Sequence, residues 1–187
     1  MYASPGRNIL YILLIMVSCN SKSPENSVVF YDTVVDKLPV RDSISIKPIT
    51  PITLAITNTS RESIVTFATS LKGVPYKYAS TDPAEGFDCS GFITFVFNHF
   101  NIKVPRSSVD FTNVGREVQL KNAKPGDLIL FTGTDSLVKI VGHMGIVSDN
   151  ADTLKFIHST SGKMFGVTET PLNSYYQKRF VKVIDIF

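Results

Sequence analysis

The sequence lacks several features that would assign it to a common class of protein. Its 187 residues include no tryptophan and only two cysteines, Cys19 and Cys89. The formal net charge is +3, and lysine and arginine form no cluster of the kind that binds nucleic acid, so we expect no nucleic-acid partner. No spacing of cysteine, histidine and carboxylate residues matches a metal site, so we expect neither a metal nor a cofactor. The apolar share of 43% is that of a globular protein, and the length allows one domain with an appendage.

No segment is apolar over the roughly 20 residues that a membrane-spanning helix needs. The most apolar stretch covers the nine residues 9–17, which follow Arg7 and precede Ser18 and Cys19. A positive flank followed by a short apolar core is typical of a secretory signal peptide, which we predict over residues 1–18.

The end of that stretch, Met16-Val-Ser-Cys19, resembles the bacterial lipoprotein box, although leucine is usual where Met16 stands. The resemblance implies that Cys19 is lipidated, becomes the new N-terminus and anchors the protein to a membrane. Asn20 after the cysteine favours the outer membrane, with the protein facing the periplasm. The alternative is an ordinary signal peptide or a short uncleaved anchor, with Cys19 incidental.

Residues 19–58 are predicted to form a linker that begins with the lipidated cysteine. The segment is rich in Ser, Thr, Pro and Asn, and prolines interrupt its short β-prone pieces. We interpret it as a tether that holds the following domain away from the membrane. A second interpretation is that part of it packs on the domain as an extra strand.

The globular domain is predicted over residues 59–187. Thr59 and Glu62 form a capping-box pattern ahead of a helical apolar stripe, which ends before Gly73 and Pro75. A second helix, over residues 88–99, is apolar on nearly all faces and is therefore expected to be buried. Strands are predicted at 127–131, 141–148, 154–159 and 180–186. Helices first and antiparallel strands afterwards predict an α+β fold.

Cys89 is predicted in the first turn of the second helix, with Asp88 as the N-cap. The helix N-terminus favours a thiolate, so we expect a lowered pKa for Cys89 and a reactive nucleophile. The first-turn amides would also help to hold an oxyanion. The alternative is a buried structural cysteine, which the polar Asp-Cys-Ser-Gly context argues against.

A thiolate nucleophile needs a base, and the chain has three histidines. A hairpin that turns between residues 150 and 151 would place His143 directly opposite His158 on one face of the sheet. One imidazole could then take the thiol proton while the other holds its tautomer, provided that the strands do not slip by one residue. His99 lies about 15 Å along the helix from Cys89, so we expect a surface histidine or one that interacts with the helix C-terminus.

Six segments in order carry a family resemblance: Gly73-Val-Pro-Tyr-Lys-Tyr78, Phe87-Asp-Cys-Ser-Gly-Phe92, Pro105-Arg-Ser-Ser108, Pro125-Gly-Asp-Leu-Ile-Leu-Phe131, Gly142-His-Met-Gly-Ile146 and Phe156-Ile-His-Ser159. Over residues 61–187 the chain resembles the NlpC-type cell-wall cysteine peptidases, a branch of the papain-like superfamily. The resemblance implies their α+β fold, in which a buried helix carries the cysteine at its N-terminus and packs on an antiparallel sheet.

The resemblance also implies a Cys–His–His triad with Cys89 as the nucleophile, His143 as the base and His158 as the orienting residue. The implied reaction is hydrolysis of peptidoglycan stem peptides, commonly between γ-D-glutamate and a diamino acid. Peptidoglycan peptides would be the binding partners, and we expect a monomer in the cell envelope.

Further site residues follow from the same resemblance. Tyr76 is expected to place its hydroxyl near the thiol and the oxyanion, and Asp88 and Ser108 to help bind the peptide on the amino side of the cut. Asp127 is expected to be structural, with its carboxylate tying down the loop near the site. Three more residues of the matching segments complete the set: Ser90 as an orienting residue, and Arg106 and Gly142 as substrate-binding residues.

Departures from the family pattern leave alternatives open. Tyr78-Ala79-Ser80 stands where Trp-Gly-Gly is frequent, so we expect a different cleft wall. Phe111 stands where glutamine is frequent, so we expect different chemistry at that subsite. The alternative functions are an amidase or acyltransferase on the same scaffold, a catalytically silent wall-binding lipoprotein, and a redox protein with a Cys19–Cys89 disulfide. The redox function is excluded if Cys19 is lipidated, because that cysteine then cannot form the disulfide.

Overall fold

The computed structural model describes residues 51–56 and 58–187. The predicted signal peptide, Cys19 and most of the predicted linker lie outside these residues. In the part of the chain that is described, no helix is long and apolar enough to cross a membrane.

Residues 51–56 pack on the domain. The amide of Ile52 donates to the carbonyl of Asn113 at 2.8 Å, and Gly115 donates back to Ile52 at 2.9 Å. Leu54 is buried in the same core as the helices. The contacts of the domain therefore begin earlier in the chain than the predicted start near Thr59, as the second interpretation of the linker allowed.

The helices begin and end at recognisable caps. Helix α1 covers Arg61–Ser70, α2 covers Cys89–His99 and α3 covers Ser174–Arg179; two 3-10 turns cover Ser108–Asn113 and Leu120–Asn122. The N-cap of α1 is Ser60, whose hydroxyl accepts from the amide of Ser63, and not Thr59 as the capping-box pattern predicted. The buried residues of this helix are Ile64 and Ala68.

Helix α2 is the buried helix that the sequence predicts; it begins at Cys89, with Asp88 as its N-cap, and ends at His99 as predicted. The carboxylate of Asp88 caps it by accepting from the amide of Gly91 at 2.6 Å. Phe92, Ile93 and Val96 have no exposed surface. At Gly91 the chain passes so close that a Cβ atom would lie 2.0 Å from the carbonyl oxygen of Ser80. A glycine at this position therefore lets the first turn of the helix sit directly against the preceding loop.

The strands form a two-stranded hairpin and a six-stranded antiparallel sheet. Their bounds are β1 Thr81–Asp82, β2 Gly86–Phe87, β3 Arg116–Val118, β4 Leu128–Thr132, β5 Val141–Asp149, β6 Lys155–Thr160, β7 Gly166–Pro171 and β8 Phe180–Asp185. The sheet order is β3-β8-β4-β5-β6-β7. The predicted α+β fold, with helices packed against an antiparallel sheet, is confirmed.

Both faces of the sheet are covered, which explains the unbroken apolar run of β4. Leu128 and Leu130 belong to the core under α2, whereas Ile129 and Phe131 belong to a second core that includes Tyr176 of α3. All five residues of β4 are buried. A strand that is buried on both faces needs no polar alternation, so the first four residues of β4, Leu128 to Phe131, are all apolar.

Candidate active site

Cys89 lies where strand β2 meets helix α2. It is the first residue of the helix and is partly buried, with its Sγ 3.8 Å from the carbonyl oxygen of Gly142, to which the thiol donates. Gly142 lies on β5 directly before His143. The strand therefore brings the backbone beside the histidine to the thiol. A Cβ atom on Gly142 would lie 2.7 Å from the Cα of Gly133, so the neighbouring loop closes against this point.

The pKa of Cys89 is raised above its ordinary value, and the expected lowering is wrong. Burial of the sulfur is the largest cause, and the carboxylate of Asp88 adds to it. The amides of Ser90 and Cys89 and the guanidinium of Arg106 act in the opposite direction but do not outweigh burial. The resting side chain is thus a thiol, and a nucleophilic attack by its sulfur would require a base that accepts the proton.

His143 and His158 form a hydrogen-bonded pair of imidazoles on one face of the sheet. Nε2 of His143 lies 2.9 Å from Nδ1 of His158, and Nε2 of His158 lies 3.0 Å from the hydroxyl of Thr170. When His158 donates to Thr170, its Nδ1 accepts from His143, and the Nδ1 of His143 keeps a free lone pair. This arrangement leaves one ring nitrogen of His143 able to accept a proton.

The strand register that joins the two histidines differs from the prediction. Ile146 pairs with Ile157, whereas the predicted hairpin would pair it with Lys155. The pairing of Asp149 with Lys155 centres the turn on residue 152 and not between residues 150 and 151, and after the register break between Val147 and Asp149 the strands are shifted by two residues from the predicted pairing. Since side chains alternate with a period of two, a shift of two keeps both rings on the same face. His143 and His158 are diagonal neighbours and not directly opposite, and their rings still meet.

Both imidazoles are held neutral by their surroundings. Burial lowers the pKa of His143 well below its usual value, and the neighbouring His158 and the charge of Arg179 lower it further. Burial and then Arg179 lower the pKa of His158 to about 3. At neutral pH the pair therefore contains no proton beyond those of the two neutral rings. The third histidine, His99, stacks on Phe67 at a ring distance of 3.8 Å at the end of α2.

Tyr76 lies beside the thiol, as the family resemblance implies. Its ring packs against Phe165 at 5.7 Å between centroids. The pKa of its hydroxyl is raised by burial and by the nearby Cys89 and Asp88. The hydroxyl is thus a neutral donor next to the place where negative charge would develop.

One cavity beside Cys89, here named the Arg106 cavity, has a volume of about 590 Å³. Asp88, Ser90, Arg106 and Ser108 contribute to its wall. Arg106 donates to both oxygens of Asp88, at 3.1 and 2.7 Å, and to the hydroxyl of Ser90 at 3.0 Å. The predicted substrate-contacting residues of this side are thus together, and the cation among them is neutralised by a carboxylate.

A second cavity beside Cys89, here named the Lys163 cavity, has a volume of about 540 Å³. Its wall includes His143, Lys163 and Arg179. Tyr76, Cys89 and Gly142 line both cavities, so the two spaces meet at the thiol. Such an arrangement can hold an extended chain on both sides of a bond that the sulfur attacks.

Two residues of this site were missed at the level of sequence. Thr170 lies on β7, a polar strand that no apolar alternation indicates. Arg179 lies on the six-residue α3, which was not predicted, and its basic side chain is buried. A buried arginine has the same sequence signature as an exposed one, so no pattern could have pointed to it.

Asp127 lies away from the thiol. Its carboxylate accepts from the amide of Lys124 at 2.8 Å and pairs with Arg61. Burial raises its pKa. It lines a separate cavity with residues of the segment from Arg116 to Lys124 and with Asp185, and neither cavity at Cys89 includes it. The structure therefore places it in the loop that it ties down, outside the cleft.

A metal site is not formed by the groups that the structure describes: within residues 51–56 and 58–187, no three His, Cys, Asp or Glu side chains are placed to hold an ion.

Comparison with known proteins identifies relatives over this domain. The model of the NlpC/P60 family matches residues 73–185. The chain is 34% identical over 128 residues to the gamma-DL-glutamyl hydrolase of Bacillus subtilis (strain 168). This alignment covers 68% of this chain and 30% of the hydrolase. It is 33% identical over 116 residues to the probable endopeptidase NlpC of Escherichia coli (strain K12). This second alignment covers 59% of this chain and 68% of the endopeptidase.

A solved structure shares the fold. The crystal structure of an NlpC/P60 family protein from Bacillus cereus ATCC 10987 matches with a TM-score of 0.62 and 26% identity, over 70% of this chain and 41% of that one. The match of the family model extends over more than half of the chain, from the loop before the hairpin to the last strand. The family that the six sequence segments indicated is therefore confirmed, and this chain belongs to the NlpC/P60 family.

Proposed function

We propose that this protein is a cell-wall peptidase that hydrolyses peptidoglycan stem peptides with Cys89 as the nucleophile. The observation that carries the proposal is that the Cys89 thiol lies where two cavities meet, one of which is also lined by the hydrogen-bonded His143. The relatives named gamma-DL-glutamyl hydrolase and probable endopeptidase support this reaction class. Because the first of these names specifies a γ-glutamyl bond and the family resemblance implies a diamino acid after it, we propose cleavage between γ-D-glutamate and a diamino acid.

The proposed reaction begins with transfer of the Cys89 proton to His143. Since the thiol has a raised pKa and the imidazole is neutral, this transfer accompanies attack of the sulfur on the carbonyl carbon. The carbonyl oxygen becomes an oxyanion, which we expect the Cys89 amide at the helix N-terminus and the Tyr76 hydroxyl to stabilise.

The second half of the reaction returns the proton. His143 donates it to the leaving amine as the carbon–nitrogen bond breaks, which leaves a thioester on Cys89. Water then attacks the thioester while His143 takes its proton, and that proton goes to the Cys89 sulfur when the acid is released. His158 and Thr170 hold the ring of His143 in one tautomer throughout, as the third member of a catalytic triad does.

The test is mass spectrometry of products from the defined tripeptide L-Ala-γ-D-Glu-meso-diaminopimelate. We expect the wild-type protein to release L-Ala-γ-D-Glu and the diamino acid, and Cys89→Ala to release neither. The matched control is His99→Gln, which changes a histidine at the far end of the same helix and should leave turnover intact. Product release by Cys89→Ala at the wild-type rate would refute the role of the thiol, and cleavage at another bond would refute the assigned position.

We also propose that the protein is anchored to the outer membrane through a lipid on Cys19, facing the periplasm. The support is the lipoprotein-like sequence Met16-Val-Ser-Cys19, which lies outside the residues that the structure describes. In cells grown with a labelled fatty acid, we expect the full chain to carry the label and to fractionate with outer membranes. Cys19→Ser should lose both properties, and a labelled or equally membrane-bound Cys19→Ser protein would contradict the anchor.

A further inference from the structure

The two cavities at Cys89 differ in charge. The Arg106 cavity contains a carboxylate, that of Asp88, which pairs with its arginine. The Lys163 cavity is lined by two basic side chains, Lys163 and Arg179, and by no aspartate or glutamate. The rest of its polar wall comes from neutral groups, chiefly the hydroxyl side chains Thr134, Thr160, Ser161, Thr168, Thr170 and Tyr175. This cavity therefore presents positive charge and hydrogen-bond donors without a counter-ion.

Arg179 is unusual because it is buried without a carboxylate. It is 9% exposed, and within residues 51–56 and 58–187 it makes no ion pair. Its guanidinium donates to the carbonyls of Gly133 and Thr132 and to the hydroxyl of Tyr175. An arginine has five N–H donors, so these three hydrogen bonds leave donors free. A buried charge normally has a partner, because its removal from water is otherwise uncompensated.

The position of His143 shows which part of a substrate would enter the Lys163 cavity. His143 lines this cavity and not the Arg106 cavity. In the proposed reaction His143 protonates the leaving amine, so the residue that carries this amine must lie on the side of His143. The amino-side peptide then occupies the Arg106 cavity, and the released residue occupies the Lys163 cavity.

We propose that the Lys163 cavity recognises a carboxylate on the released residue, with Lys163 and Arg179 as the cations that bind it. The inference rests on the proposed function and adds the substrate class. A diamino acid whose side chain ends in a carboxylate, as in meso-diaminopimelate, satisfies the cavity. One whose side chain ends only in an amine, as in L-lysine, brings a third positive charge to it. The α-carboxylate of a chain-terminal residue is the other possible source of the negative charge.

Four synthetic tripeptides distinguish these sources. All contain L-Ala-γ-D-Glu, followed by meso-diaminopimelate or L-lysine, each with its α-carboxylate either free or amidated. We expect the amidated lysine peptide, which has no carboxylate on the leaving side, to have a kcat/KM about tenfold or more below the others, the effect of roughly one charge-assisted hydrogen bond. Faster cleavage of amidated diaminopimelate than of free lysine peptide assigns recognition to the side chain, and the reverse order assigns it to the α-carboxylate.

Variants connect this preference to the named residues. Lys163→Gln removes a charge from an exposed loop position and should reduce the preference for leaving-side carboxylates about threefold to tenfold. Lys178→Gln removes the same charge beside Arg179 on α3 but outside the cavity, and should leave the preference unchanged. Arg179→Lys keeps a cation and should retain more of the preference than Arg179→Gln. A thermal melt identifies any variant that is unfolded.

The outcomes separate the two proposals. If the wild-type protein cleaves no peptide, the proposed function is wrong; binding of the same peptides to Cys89→Ala, measured by calorimetry, then still tests the charge preference. If all four peptides are cleaved at the same rate, carboxylate recognition is wrong while the proposed function stands. An undiminished preference in Lys163→Gln and in Arg179→Gln also overturns the inference.

Discussion

At the scale of single residues, the two buried histidines make the stability of the protein depend on pH. His158 has no exposed surface, and its pKa in the folded state is lowered to about 3. In the unfolded chain it would titrate near 6.5. The unfolded state therefore binds more protons between these values, so that stability is present above pH 6.5 and is lost as the pH falls towards 3.

We predict that the free energy of unfolding decreases by about 2 kcal/mol for His158 alone between pH 7 and pH 5. His158→Asn cannot titrate and should lower this pH dependence by about that amount, although the variant is less stable at pH 7. Urea unfolding at the two pH values measures the difference. An equal slope in wild type and His158→Asn would contradict the buried neutral state.

A residue can be assigned a role from sequence only when the local pattern determines its surroundings. Cys89 and Asp88 are adjacent at a helix start, so capping predicts their arrangement correctly. The direction of the Cys89 pKa shift depends on burial by segments distant in sequence, so the helix N-terminus alone predicted it wrongly. The role of Arg179 could not be predicted for the same reason, because its neighbours Thr132 and Gly133 come from the end of β4 and the following loop.

At the scale of elements, the N-terminus of α2 combines a structural and an electrostatic function in Asp88. The carboxylate caps the helix, pairs with Arg106 and raises the pKa of Cys89. An asparagine can keep the cap while it removes the charge, because its side-chain oxygen also accepts from an amide. The two effects can therefore be separated by substitution.

We predict that Asp88→Asn lowers the pKa of Cys89, because the variant removes a nearby negative charge and frees the guanidinium of Arg106. The pH profile of alkylation by iodoacetamide, followed by mass spectrometry, should shift to lower pH. Asp88→Ala is the comparison, since it removes the charge and the cap and should cost about 1 kcal/mol more stability than Asp88→Asn. A profile that stays in place or moves to higher pH in Asp88→Asn would contradict this account.

Elements with strong apolar patterns were predictable, and polar ones were not. The apolar runs of α2 and β4 indicated their type and position, whereas β7, which carries Thr170, alternates weakly and α3 has only six residues. The β5–β6 register depends on a turn centred on residue 152 and on a break near Ser148, and Asn150 of this turn donates to the carbonyls of Leu120 and Ala123. A hairpin rule applied to two strands cannot include such contacts from a third segment.

At the scale of the whole domain, Arg61 connects three distant parts of the chain. Its guanidinium pairs with Asp127 before β4 and with Asp185 at the end of β8, and it lies 4.4 Å from the ring centre of Phe187. Asp127 is almost fully buried, so it loses its compensating charge if Arg61 is removed. This cluster connects helix α1 to the segment before β4 and to the C-terminal end of β8.

We predict that Arg61→Ala lowers the free energy of unfolding by about 2 kcal/mol, somewhat less than the loss of one partner of a fully buried pair, because Arg61 is partly exposed. Arg116→Ala removes a mostly exposed partner of Asp185 and should cost less than about 1 kcal/mol. Urea unfolding measures both. Because the cluster lies outside the cavities at Cys89, peptide cleavage below the melting temperature should be unchanged; similar losses of stability in the two variants would contradict a special role for Arg61.

The partial burial of Cys89 has a consequence for the lifetime of the protein. Oxidants attack the thiolate far more readily than the thiol. A sulfur that is held protonated until a substrate and a base are both in position is therefore protected from sulfenic acid formation while the cleft is empty. In the proposed reaction, the surroundings that make Cys89 depend on His143 as a base would thus also slow the oxidation of the sulfur while the cleft is empty.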